Sequence, residues 1–209
     1  MPLNCSRLAL VLALFLAIMA SLAVRAQTDV ALNLYGTFNS TTNYNIGLEH
    51  QTAANAAGGL FELRHISNPF VGYEATYSFN RANQEYTYIG PTPLGSGPGR
   101  NLAAVSANAH EITGDWVVSF PAGKLRPFAL VGIGLLLTEP VSGESLTTKS
   151  NEPVYVYGAG LDWKLVPHLG LRFQYRGNVY KAPNITAVYG SNGSFTHTAE
   201  PMIGVYFKF

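Results

Sequence analysis

The chain has 209 residues, 47% of them apolar and 12% aromatic, with only 12% charged and a formal net charge of +1. Soluble domains carry about 25% charged residues, and disordered chains combine high charge with few aromatics, so neither class fits. Twenty-one glycines and 12 tyrosines argue against a helical bundle, and the near-zero net charge offers no footprint for nucleic acid.

Arg7 precedes an apolar run from Leu8 to Ala20, followed by small residues and Val24-Arg25-Ala26. These flanks predict a signal peptide over 1–26, cleaved after Ala26. The run is shorter than the about 20 residues of a spanning helix. Cys5 lies before it, where it cannot become an acylated mature terminus. The mature region, 27–209, then has no cysteine, and its 11 Lys+Arg oppose 12 Asp+Glu. Without disulfides, it depends on backbone hydrogen bonding and apolar surface.

Eight period-two segments follow: Val30–Phe38, Gly59–Ile66, Val71–Asn80, Leu102–Phe120, Phe128–Leu137, Val154–Leu165, Gly170–Tyr180 and Glu200–Phe209. Short connections (67–70, 121–127 and 166–169) alternate with long ones (39–58, 81–101, 138–153 and 181–199), and the second long one holds PTPLGSGPGR, which cannot be regular. This describes an up-and-down meander. Leu102–Phe120 exceeds one crossing and is expected to run past the outer rim.

One face of each segment is bulky and aromatic; the other carries polar residues and glycines such as Gly72, Gly132, Gly134, Gly158, Gly160 and Gly204. Glycine suits a crowded interior. The aromatics fall into two expected girdles, Phe38, Phe61, Phe79, Tyr155 and Tyr157 at one rim and Tyr73, Trp116, Trp163, Phe173 and Phe209 at the other. A sheet in lipid must close, because lipid pairs no backbone group. The expected fold is all-β, an eight-stranded antiparallel transmembrane β-barrel.

The final Glu200-Pro-Met-Ile-Gly-Val-Tyr-Phe-Lys-Phe209 resembles the terminal strand of bacterial outer-membrane proteins. Pro127-Phe-Ala-Leu-Val-Gly-Ile-Gly134 and the stretch from Gly158 to Arg176 resemble hairpins of small barrels. Together they resemble the OmpA-like, or outer membrane protein beta-barrel domain, group. The resemblance implies a bacterial outer-membrane location in contact with membrane lipids and lipopolysaccharide. It also implies passage through periplasmic chaperones and the barrel-assembly machinery, and it carries no shared catalytic residues. No peptidoglycan-binding domain follows, so periplasmic tethering is not expected.

The inward face is expected to hold Glu62, Glu74, Glu111, Asp115 and Asp162 against Arg64, Lys164, Arg172, Arg176 and Lys208. In so narrow a barrel these should pair. They would form a structural plug or, alternatively, a narrow porin-like channel for small solutes. His65-Ile-Ser67-Asn68 superficially resembles the His-x-Ser-Asn stretch of lipid A deacylases, but Ser67-Asn68-Pro69 is also ordinary turn chemistry. Ser194, His197 and Glu200 could be joined into a similar story. No catalytic, cofactor or metal residue is assigned, since the five histidines are scattered. The sequon matches at Asn39, Asn184 and Asn192 suit polar loops. A surface ligand, if there is one, belongs to the long loops.

Overall fold

The computed structural model describes residues 27–44, 49–88, 100–141, 147–185 and 194–209. The expected signal peptide and most of the PTPLGSGPGR segment lie outside these residues. The strands are β1 (Gln27–Asn39), β2 (Thr42–Tyr44), β3 (Glu49–Ala53), β4 (Ala56–Ile66), β5 (Val71–Tyr88), β6 (Arg100–Ser119), β7 (Leu125–Pro140), β8 (Ser150–Val166), β9 (Leu169–Lys181) and β10 (Phe195–Lys208). Every pairing is antiparallel. β1 meets β10 and β5 meets β6, which closes β1 and β4–β10 into an eight-stranded barrel.

Directly opposed residues lead from Leu125 through Trp163, Leu171, Val205, Leu32, Phe61, Tyr77 and Ile112 back to β7 at Leu135, ten residues further along. That stagger requires the strands to lean by about 40°. The short turns follow local chemistry. Asn68 Oδ1 accepts from the backbone N–H of Phe70 and Val71 at 3.0 and 2.9 Å, while Gly123, at φ 67°, supplies the left-handed residue of the β6–β7 turn.

All eight expected strands are present, and each reaches further at the loop end than the apolar alternation indicated. β5 and β6 pair out to Tyr88↔Arg100, whereas β6 pairs with β7 only from Ala107. The long β6 therefore projects past the barrel as expected. β2 and β3 lie within 39–58, expected only as a long connection, and β3 extends the β5–β6 ribbon. Beyond the rim neither face needs lipid, so backbone pairing persists without an alternating signature. Ile185 caps this ribbon, buried with Tyr86, Val105 and Ala107.

The apolar face turns outward. Tyr157, Trp163 and Phe207 are exposed, while Arg172 and Asp162 are buried inside. The ring-bearing residues of both expected girdles are exposed on the wall, although Phe61 and Tyr157 stand at the middle of β4 and β8 and not at the rim. Inside, glycines relieve crowding. A Cβ on Gly132 would collide with Asp115 Oδ1, and one on Gly160 with the Phe128 ring.

Candidate functional site

The buried charges lie on two levels of the lumen. On the turn side, Arg172 from β9 clamps Asp162 on β8 through Nε (2.7 Å) and Nη2 (3.0 Å). It reaches across the barrel to Asp29 on β1 at 3.1 Å and to Glu62 on β4. Arg64 on β4 donates from Nε to Glu74 Oε2 at 2.7 Å and lies 3.0 Å from Glu62 and 3.5 Å from Asp162. Its guanidinium sits 4.1 Å over the Phe128 ring, and that of Arg172 lies 5.2 Å from the Tyr206 ring. Arginine suits this position because its planar fork serves several carboxylates at once.

On the loop side, Arg176 from β9 spans the lumen to β6, 3.3 Å from Asp115 and 3.4 Å from Glu111, and donates to Thr113 Oγ1 at 3.1 Å. Glu74 is 4.0 Å away. Asn178 Nδ2 donates to Glu111 Oε2 at 2.9 Å.

Strand register explains much of this. Arg64 faces Glu74 and Arg172 faces Asp162 directly across their ladders, and Glu74 stands beside Asp115. The contacts of Arg172 with Asp29 and Glu62, and of Arg176 with Glu111, need the curvature of the closed barrel.

The expected balance of five acids and five bases is corrected. Eight of the ten are buried in the lumen, but Lys164 is exposed and Lys208 half-buried. Both stand at the turn-end mouth with Lys124 and Arg126, around a solvent-open cavity of about 70 Å³. Their positions alternate inward correctly; they lie too near the strand ends to be enclosed, and long side chains keep their charge in water. Asp29 and Glu200, which were not assigned to the inward set, are buried there. Both share the inward alternation of their strands: Asp29 lies one residue before the expected Val30–Phe38, and Glu200 opens the expected Glu200–Phe209 in phase with Met202. Among the described residues the buried lumen thus holds seven carboxylates against three guanidiniums.

Above Arg176 a chamber of about 490 Å³, counting its mouth, opens at the loop end, lined by Asn39, Asn80, Glu111, Thr138, Asn178 and Glu200 among others. Asn39, the first sequon position, is tied into the wall, donating to Ala54 O and accepting from Thr198 Oγ1.

The His65 stretch is spent on structure: His65 Nδ1 bonds Thr28 Oγ1 at 2.9 Å, its ring packs on Tyr73, and Asn68 makes the turn. His197 bonds Tyr157 on the outer face at 2.9 Å, whereas Glu200 points into the lumen, so these two are not brought together. Among the described residues no group of three or more His, Cys, Asp or Glu side chains could hold a metal ion.

The family described as outer membrane protein beta-barrel domain matches residues 9–207. No curated protein matches the sequence. Among solved structures, the fold is similar to Ail, the attachment invasion locus protein of Yersinia pestis, in complex with the heparin analogue sucrose octasulfate. The identity is 14% and the TM-score 0.55, covering 89% of this chain and 100% of that one. It is similar to Neisserial surface protein A at 15% identity and TM-score 0.56, with the same coverage. It is also similar to OprG from Pseudomonas aeruginosa at 12% and 0.57, covering 88% of this chain and 96% of that one. At these identities the likeness shows the fold.

Proposed function

The chain belongs to the outer membrane protein beta-barrel domain family, and from that premise we propose a structural envelope protein whose lumen is plugged by its ion-pair network. The short turns face the periplasm and the long loops the cell exterior, as is general for such barrels, with lipopolysaccharide against the outer part of the wall. Residues 1–26 act as the export signal, and the strand ending at Phe209 engages the assembly machinery.

The observation that carries this reading is the bridging of the lumen by Arg172. Its single guanidinium bonds Asp162, Asp29 and Glu62 from three strands, and the side chain is 0% exposed. Opening a path there requires a buried arginine to release its partners, which costs about 3–5 kcal/mol. No catalytic role is assigned, because the histidines with nearby hydroxyls are engaged in the wall and turns.

The loops supply whatever surface interaction the protein has. Sulfated polyanions, such as the ligand in the Ail complex, are not favoured. The described loop-end charges are mixed, Arg81, Lys149 and Lys181 against Glu85, Glu139 and Glu152.

Planar-bilayer recording tests the plug. Wild-type protein is expected to show no steady conductance, and Arg172→Ser to show openings. A steady wild-type conductance that changes in Arg172→Ser would replace the plug with the channel reading.

A further inference from the structure

Six of the seven buried lumen carboxylates have a guanidinium within 4.0 Å; among the described residues, Glu200 has none. The cause is geometric. Arg176 stands opposite Glu200 in the β9–β10 ladder, but its guanidinium crosses the lumen to Asp115 and Glu111 on β6. Glu200 Oε2 has no hydrogen-bond partner, and neither has Asn178 Oδ1. Both side chains are more than nine-tenths buried, at 4% and 1% exposure, and both line the loop-end chamber.

The Asn178 amide donates to Glu111 from Nδ2 and carries a second N–H beside Glu200, while its Oδ1 remains a free acceptor in the chamber. A buried carboxylate oxygen and a buried amide oxygen left without donors are costly. A positive group that receives both removes the cost. The donors are all oxygen, the preference of hard cations. The enclosed cavity within the chamber is about 40 Å³, too little for a sugar or an aromatic amine.

We propose that the loop-end chamber binds one compact, hard cation (a metal ion or ammonium) between Glu200 and Asn178, with Glu111 completing the negative field. The cation stands in for the guanidinium that register places opposite Glu200 but that the lumen-spanning pairs draw away. The site is reached from the loop end and is separate from the ion pairs on the turn side.

The test uses the full chain refolded in detergent, following loss of the fast-migrating unboiled gel form with temperature. Choline chloride is replaced by potassium, ammonium or calcium chloride at constant ionic strength. At least one compact cation is expected to raise the midpoint by about 5 °C over choline, and the salt that does so identifies the ion class. Glu200→Gln should abolish the rise. Asn178→Asp, which adds charge at the same place, should steepen it. Equal midpoints in all four salts would overturn the proposal, as would an undiminished rise in Glu200→Gln. Should that variant fail to fold, an unaltered response of Asn178→Asp counts equally against it. An infrared band of a protonated carboxylic acid in the wild type, lost in Glu200→Gln, would show that a proton and not a cation neutralises the site. Bilayer conductance does not enter this test, so the plug and the cation site can fail independently.

Discussion

On the turn side of the lumen, Arg64 and Arg172 share Asp29, Glu62, Glu74 and Asp162 at separations no longer than 3.5 Å, with the Phe128 ring packed beneath. On the loop side, Arg176 holds Asp115 and Glu111 at 3.3 and 3.4 Å, and Glu200 and Asn178 line an open chamber. The same strands, with the same alternation, build both halves. Two guanidiniums and a ring can fill a narrow cylinder; one guanidinium leaves space and an excess of acceptors. The tight half therefore holds the barrel together, and the open half retains the capacity to bind.

The largest expected effect comes from removing the centre of the tight half. Arg172→Met leaves Asp29 without a guanidinium and Glu62 and Asp162 with Arg64 alone, and should cost about 3–5 kcal/mol in urea unfolding from lipid vesicles. Arg176→Met should cost less, since Glu111 borders a chamber that water can enter and keeps its bond from Asn178. The reverse order would break the comparison. A charge on the outside of the same wall gives the next scale. Ile133, 59% exposed toward lipid, should lose about 2–4 kcal/mol as Arg if it lies near the bilayer midplane. The crowding of the tight half can then be probed directly. Gly160→Ala drives a methyl group into the Phe128 ring and the Phe173 carbonyl, and should cost about 1–3 kcal/mol by overpacking.

The smallest effect belongs to the loop-end pair Lys149–Glu139, at 2.7 Å but solvent-exposed. The lysine, by hydrogen bond and charge, holds the Glu139 carboxyl below its ordinary range. A depressed carboxylate adds stability above its unfolded value and loses it as pH falls through the folded one. Lys149→Ala should therefore leave the unfolding midpoint at pH 7 within error, and any difference should vanish in acid. A clear loss at pH 7 would mean that this loop-end pair contributes more than surface pairs usually do.

Much of the lumen was legible before any coordinates. Glu62, Arg64, Glu74, Glu111, Asp115, Asp162, Arg172 and Arg176 all follow from alternation against an apolar face, because a pleated strand sends successive side chains to opposite sides. Asp29 and Glu200 obey the same rule, Asp29 one residue before the first apolar alternation begins and Glu200 at the first position of the last segment, in phase with Met202 and Gly204. Lys164 and Lys208 obey it too, yet end at the mouth, because alternation sets direction and says nothing of depth. β2 and β3 left no apolar signature, since their ladder stands outside the bilayer.

The sequence by itself determined the eight crossings, which face meets lipid, and which charges must turn inward, since each is a local consequence of a two-residue period in a solvent without hydrogen-bond partners. Only the closed barrel decided which carboxylates each arginine takes across the lumen. Arg172 meets Glu62 and Arg176 meets Glu111 across the lumen, through a curvature and stagger that bring together residues of strands that are not neighbours. That same reach leaves Glu200 facing an arginine that has turned elsewhere.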